Sequence, residues 1–416
     1  MRILVISRDI WKENNNTGNT LTSLFGDFNN CELFNLYLKD VSYCNPIVKR
    51  TFHIQEKLMI KHPFTESGEE LFGTNYSLTS EKKKVKPESY LLRFFREIVW
   101  TFGTWKGNKL KTFLSEVNPE IVFMPVFPCF YAHKLLNYIN KTFPAIKIVL
   151  FHADDTYSLK CFSFSPLFWL YRLFLRKYVK ESVKISSLNF AISDLQQNEY
   201  SSYFAKRFFL LQKTSTFLGK KDRKENKPLT IVYTGNLSNG RWKTIKLIAK
   251  ALEHINNDSK KAILLVYSQT KLSKRRMSKT FDNINSRFMG SVEAGLVYER
   301  QSNADILLHV ESFSKTDISA TRLSFSTKII DYLSFGKCIL AVGPNCIASI
   351  QFFLNNSIGY LISNKNDIEE KLRILLESSN TRKTIGERCF EYGKKNHSES
   401  HFRDIILETL GDSNAK

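Results

Sequence analysis

What most constrains this chain is a set of short apolar runs with no polar alternation inside them. ILVI (3–6), IVFMPVF (121–127), IKIVLF (146–151) and LNFAIS (188–193) come first. LTIVYTG (229–235), KAILLVYS (261–268), RFMG (287–290), ADILLHV (304–310) and CILAV (338–342) follow. A strand that is apolar on both sides must be covered on both faces, which is the condition of a parallel sheet between two helical layers. The intervening stretches carry apolar residues at helical spacing: most of 87–120, then 133–143, 165–183, a helix from Asp194, 242–256, 292–302, one opening at Ser326, and 366–378. The tail from Thr381 reads as helix with a break near Asn396–His397. Strands alternating with helices predict an α/β chain built from doubly wound sheets.

The lysine-rich stretch 219–227 interrupts this pattern and ends at Pro228, which predicts a boundary between 1–220 and 221–395. At 416 residues there is chain enough for a core in each part. With 43% hydrophobic and 24% charged residues, the chain is globular rather than disordered. Seven cysteines are an odd count with no CxxC spacing, which argues for reduced thiols and against a zinc site. No run of 18 apolar residues exists to span a bilayer, and the opening MRILVISRDI is too short for a signal peptide. The expectation is a cytoplasmic protein. A net charge of +21 calls for a partner of opposite sign: nucleic acid, anionic lipid or a phosphorylated substrate. Lysine runs at 81–88 and 219–227 read as solvated loops and carry part of that excess.

Three loops after strands of the second series suit a phosphate. In YTGNLSNGRWK (233–243), Gly235 follows the strand, Asn236 opens a small polar loop, and Arg241 and Lys243 flank a helix start. SFSTK (324–328) stands at a second helix start, where Ser326 or Thr327 can cap. VGPN (342–345) follows the next strand. Lys328 is the odd residue, because a cation in the first helical turn sits at the positive end of the macrodipole. A diphosphate between Lys328 and the N–H groups would remove the penalty, with Asp331 one turn on to accept from a hydroxyl. The bland alternative is a solvated Lys328–Asp331 pair. In the first series, the loop after ILVI contains Thr17, Gly18 and Asn19 ahead of a helix through Phe25, with Thr17, Asn19 or Thr20 as cap.

These stretches resemble a known family. STKIIDYLSFGKCILAVGP (326–344) looks like the donor-binding segment of GT-B glycosyltransferases in the large retaining group called family 4. IVYTGNLSNGRWKTIKLIAKAL (231–252) and FMGSVEAGLVYERQSNADILLHVESF (288–313) resemble the preceding parts of the donor domain. ILVISRDIWKENNNTGNTLTSLF (3–25) and FHADDTYSL (151–159) are similar to the acceptor domain of bacterial capsule and exopolysaccharide enzymes. The resemblance implies a GT-B fold, two doubly wound Rossmann-like domains facing a central cleft. Residues 1–220 would bind acceptor, 221–395 would bind donor, and a helix in 396–416 would pack back on the first domain. It implies a nucleotide-diphosphate sugar donor, no metal or other cofactor, and retaining transfer. Lys328 with Arg241 or Lys243 would grip the diphosphate, supported by Gly235 and Asn236, and Asp331 would hold the ribose. Two positions depart from the family. Leu323 stands where a carboxylate near the sugar is usual, and Asn236 where an arginine is usual; Glu311 is the candidate replacement for the carboxylate. His152 would face the donor sugar, Asp154 and Asp155 would orient or deprotonate the acceptor hydroxyl, and Thr17, Gly18 and Asn19 would form the acceptor-side loop. Alternatively His152 is a core histidine and the aspartates cap the next segment. An epimerase or hydrolase on the same fold, or an inactive glycosyltransferase-like subunit, would share these features.

SPLFWLYRLFLRKYVK (165–180) and SYLLRFFREIVWTFGTWKGNK (89–109) mix aromatics with cations, as interfacial helices on an anionic surface do. A core-facing amphipathic helix is the alternative for either. Together with the resemblance, they point to an inner-membrane face and a lipid-linked or glycan acceptor in capsular, O-antigen or exopolysaccharide synthesis. No nucleic-acid motif is present, so no nucleic-acid partner is expected.

Overall fold

A computed structural model describes residues 1–8, 11, 16–26, 28, 31–38, 45–71, 88–217, 224–399 and 401–410. The chain divides into two compact units: Met1–Ile192 with Gln196–Leu211 and His401–Lys416, and Ser193–Leu195 with Gln212–Ser400.

The first unit runs β1 (Arg2–Ser7), α1 (Asn16–Phe25), β2 (Glu32–Tyr37), β3 (Arg50–Ile54), α2 (Glu56–Lys61), β4 (Gly68–Leu71), α3 (Tyr90–Phe102), α4 (Asn108–Val117), β5 (Ile121–Pro125), α5 (Phe130–Thr142), β6 (Lys147–His152), α6 (Pro166–Ile185), β7 (Leu188–Ala191), α7 (Asp194–Phe204) and β8 (Phe209–Leu210). Its sheet has the order β4-β3-β2-β1-β5-β6-β7-β8 and is parallel except for β4 at the edge. β1 pairs with β2 through Leu4↔Phe34 and with β5 through Leu4↔Val122. The second unit runs β9 (Leu229–Thr234), α8 (Arg241–Ile255), β10 (Ala262–Tyr267), α9 (Lys274–Thr280), β11 (Ser286–Gly290), α10 (Ala294–Ser302), β12 (Ile306–Val310), α11 (Lys315–Thr321), α12 (Lys328–Ser334), β13 (Cys338–Val342), α13 (Ala348–Asn355), β14 (Tyr360–Ile362), α14 (Ile368–Glu377) and α15 (Ser379–His397). Its strands are all parallel, in the order β11-β10-β9-β12-β13-β14. The last helix, α16 (Phe402–Leu410), belongs to the first unit, where Phe402 meets Phe25, Phe28, Phe123 and Phe190 edge-on or tilted.

Apolar strands become central strands because every residue of β5, β12 and β13 is buried. The apolar pattern marks no helix or strand between 26 and 80, where β2, β3, α2 and β4 lie. Their polar residues hide them: buried Asn35, Thr51 and His53, and the edge sequence GEEL, in which Glu69 is exposed and Glu70 half-buried. The helical stretch 87–120 is two helices, because Gly103 leaves helical geometry at φ −68°, ψ 154°.

In each sheet the chain order reverses at one point: between β1 and β5 in the first unit, and between β9 and β12 in the second. Connections leaving such neighbours depart on opposite faces and open a crevice at the strands' carboxyl ends.

Candidate anion site at the β9–β12 switch point

The carboxyl ends of β9 and β12 gather the charged residues singled out in the second unit. Lys328 opens α12, but its side chain turns back to the end of β9. Nζ donates to the carbonyl of Thr234 at 2.9 Å and lies 4.0 Å above the ring of Tyr233. The ammonium is therefore solvated by a carbonyl and a π face rather than stranded at the helix N-terminus. The expected side-chain cap is absent: Thr327 is the N-cap without a side-chain bond, and the N–H groups of Ile329 and Ile330 bond the carbonyls of Ser326 and Thr327. Gly235, at φ +143°, makes room, because a Cβ there would stand 2.9 Å from Lys328 Nζ.

Arg241, the first residue of α8, donates from Nη2 to Glu311 Oε1 at 2.9 Å and from Nη1 to Asn236 Oδ1 at 3.0 Å. Asn236 thus holds the Arg241 guanidinium from the loop side. Glu311 follows β12, is 2% exposed, and keeps a second oxygen, Oε2, with no hydrogen-bond partner. The third loop closes on it: a Cβ at Gly343 would come within 2.9 Å of Glu311 Cβ. Beneath lies His309, whose Nε2 is 3.1 Å from Ser349 Oγ and 3.7 Å from Glu311 Oε1. Burial, then Lys328 and Arg241, hold that imidazole well below its usual pKa, so it is neutral. Burial, then Arg241, push Lys328 down to about 7, with Glu311 opposing. Two basic side chains, both partly buried, face one carboxylate, and the surplus positive charge favours an incoming anion.

Two candidates are differently engaged. Lys243 binds Asp317 at 2.9 Å, and Arg241 is the cation that acts on Lys328. Asp331 accepts from Lys213 Nζ through Oδ1, so one of its oxygens is held in an ion pair; burial raises its pKa and Lys213 opposes. Leu323 is a core residue at 0% exposure, so its backbone position offers no carboxylate. Several members of the site carried no motif: Tyr332, whose hydroxyl meets Thr234 Oγ1 at 3.0 Å; Gln301, which donates to that Oγ1 at 2.7 Å; and Lys213.

In the first unit, His152 ends β6 fully buried, with neither ring nitrogen hydrogen-bonded and with Tyr200 and Phe208 against the ring at 5.1 and 5.3 Å. Burial, then His133, lower its pKa to about 3, so it is a neutral imidazole. Asp154 is exposed, and its carbonyl accepts from Gln196 Nε2 at 3.0 Å. Asp155 has the role of a staple. Its Oδ1 accepts from the N–H groups of Ser158 and Tyr157, from Tyr200 Oη and from Arg172 Nη2 at 2.8, 3.1, 3.0 and 3.0 Å, and Oδ2 accepts from Ser158 Oγ. Burial would raise its pKa, but Arg172 and these donors outweigh it and lower it. Such a carboxylate caps a turn and is not an open base. Thr17, Gly18 and Asn19 lie inside α1 rather than in the loop before it; the side chains of Thr17 and Asn19 lie outside the described residues. No three His, Cys, Asp or Glu side chains among the described residues converge in a way that could hold a metal ion.

No protein-family model and no curated protein sequence matches the chain. Solved structures match over its length. Anabaena Alr3699/HepE in complex with UDP and glucose aligns with a TM-score of 0.62 at 11% identity, covering 99% of each chain. The N-terminal domain of Candida albicans trehalose-6-phosphate phosphatase aligns at 0.64 and 11%, covering 99% of this chain and 97% of that one. WaaG, a glycosyltransferase involved in lipopolysaccharide biosynthesis, aligns at 0.61 and 12%, covering 98% and 100%. The fold is that of the GT-B glycosyltransferases: two α/β units with parallel Rossmann-like sheets.

Proposed function

We propose that this chain is a glycosyltransferase that moves a sugar from a nucleotide-diphosphate donor to an acceptor hydroxyl. The observation that carries this is the half-buried Lys328, joined by Arg241 and Glu311 at the switch point of the second sheet. A diphosphate entering there meets the Arg241 guanidinium and the Lys328 amine, both positioned in advance to stabilise developing charge. Its arrival favours the protonated form of Lys328. Glu311 Oε2 is the free acceptor for a donor hydroxyl. In the step itself the bond from the anomeric carbon to the phosphate oxygen breaks and the bond to the acceptor oxygen forms. The acceptor proton passes to the departing phosphate, whose charge Lys328 and Arg241 balance. The protein's own cations serve where other enzymes place a metal, so chelator leaves the rate unchanged.

The neighbours supply two further supports: HepE was solved with UDP and glucose, and WaaG acts in lipopolysaccharide biosynthesis. With the family resemblance, they favour retention and a lipid-linked glycan acceptor in surface-polysaccharide synthesis, met at the inner face of the membrane. One observation favours a second reading, a donor-binding subunit without transfer: Leu323 and the Lys213–Asp331 pair remove two carboxylates the family uses. Incubation with labelled nucleotide sugars and a lipid-linked acceptor separates the two. Label in the lipid fraction, lost in Lys328→Met, is the expected result. Nucleotide binding without transfer under any donor supports the subunit. If no nucleoside diphosphate shifts melting, the donor-site reading fails.

A further inference from the structure

α3 and α6 pack on each other through Tyr90, Phe94, Phe168 and Tyr171. Beneath them Glu97 receives the N–H of Phe130 at 2.7 Å and the Tyr171 hydroxyl at 3.0 Å, tying both helices to the start of α5. Their buried faces are thus accounted for, and their outer faces are not polar. On α3 the outward residues are Leu91, Leu92, Phe95, Ile98 and Phe102, at 68, 56, 57, 55 and 82% exposure. Leu91, Phe95, Ile98 and Phe102 are spaced i, i+4, i+7, i+11, one continuous stripe, with Leu92 beside it. On α6, Leu167, Leu170, Leu173 and Phe174 are 41–55% exposed, and the loop before it adds Phe162 at 51% and Phe164 at 90%. An apolar face of this extent on neighbouring helices is uncommon on a free soluble surface.

The charges around it select the occupant. On α6 the outward stripe passes from leucine and phenylalanine to Lys177 and Lys180, both exposed, and Arg93 lies over Tyr90 at 4.9 Å. Of the acids on and before these helices, Glu97 is buried and Glu88 is paired with Arg96 at 3.0 Å, while Glu181 follows Lys180 and leaves the cations in excess. A second copy of the chain would set these cations against one another, whereas an anionic leaflet accepts both the apolar stripe and the lysines. No helix among the described residues is long and apolar enough to cross a membrane, so contact would be interfacial. We propose that the outer faces of α3 and α6, with the Phe162–Phe164 loop, form the surface by which this chain docks on an anionic lipid bilayer. The inference deepens the lipid-linked-acceptor reading, but it is tested without donor or acceptor, so the two can fail separately.

The test is flotation of the full-length protein with vesicles of phosphatidylcholine alone or mixed with phosphatidylglycerol. The wild type should float with the mixed vesicles. The variant Leu91→Ser/Phe95→Ser/Phe102→Ser should lose about tenfold or more in partitioning. It keeps the fold because all three side chains are exposed, which circular dichroism melting verifies. Lys177→Gln/Lys180→Gln should weaken binding only where phosphatidylglycerol is present, and Ile284→Ser, an exposed apolar change in the other unit, should change nothing. The proposal is overturned by wild-type protein that does not float, by a triple variant that floats like wild type, or by a wild-type dimer that the triple variant turns into a monomer. The last result would assign the stripe to a second copy.

Discussion

Replacing Lys328 with methionine separates stability from binding. The ammonium is buried, and its pKa falls from 10.5 to about 7. At 1.36 kcal/mol per pH unit, that difference bounds the cost of the buried charge at about 5 kcal/mol. The unfolded lysine holds its proton to about 10.5, whereas the folded one releases it near 7. Between those values the unfolded state binds more protons, so stability rises with pH. The cost is whole below pH 7 and gone above about 10.5. Methionine fills similar space without charge, but it forfeits the bond to the Thr234 carbonyl, worth about 1 kcal/mol. With partial relaxation of the pocket, Lys328→Met should be more stable than wild type by about 1–3 kcal/mol near pH 6 and less stable by about 1 kcal/mol above pH 10.5. Urea unfolding at both pH values reads this directly. An equal loss of stability at the two values would refute the reasoning, because the side chain would then act by packing alone.

Other changes probe its neighbours. Arg241→Gln breaks the ion pair of the buried Glu311 and should cost about 3 kcal/mol in urea unfolding, most of it recovered in the Arg241→Gln/Glu311→Gln double variant. Gly240 holds φ +72° with a prospective Cβ 2.0 Å from Asp317 Oδ2, so Gly240→Ala should lower stability by about 1–3 kcal/mol and loosen the start of α8. Burial raises the Glu97 carboxyl to about 7, opposed by the bonds from Phe130 and Tyr171, so its charge is a cost present above pH 7 and lost as pH falls toward 4.5. Glu97→Gln should therefore melt higher than wild type near pH 8, by about 1–2 kcal/mol of stability, and equal it near pH 5.

The fold was legible wherever apolar residues were contiguous. β5, β6, β12 and β13 announce themselves because burial on both faces leaves them mostly apolar, with His152 and His309 as the buried exceptions. β2, β3 and β4 did not, since Asn35, Thr51 and His53 are buried polar groups whose satisfaction depends on partners elsewhere, such as Ser7 Oγ on Asn35 Oδ1 at 2.8 Å. The candidate site divides on the same physics. Gly235, Arg241, Glu311 and Lys328 could be singled out because each sits in the loop or helix start that follows a strand, and position relative to a strand end is local information. What each one binds is not local. Lys213 takes Asp331 from 118 positions away, and Asp317 takes Lys243 from 74. For Asp155 the sequence leaves base and cap both open, and the partner that decides, Arg172 on α6, lies 17 positions on. Nor did the position of Lys328 in a helical turn foretell that its stem would fold back over Tyr233.

The central claim is that Lys328 and Arg241 form an anion site for a diphosphate, with Lys328 taking up a proton on binding. Calorimetric titration with a panel of nucleoside diphosphates, at about pH 6 and about pH 9, tests it most directly. The account predicts binding by at least one member of the panel at the lower pH. It predicts affinity falling by up to about tenfold per pH unit above 7, and binding by Lys328→Met that is weaker and free of this pH dependence. Binding that is indifferent to both pH and Lys328→Met would contradict it.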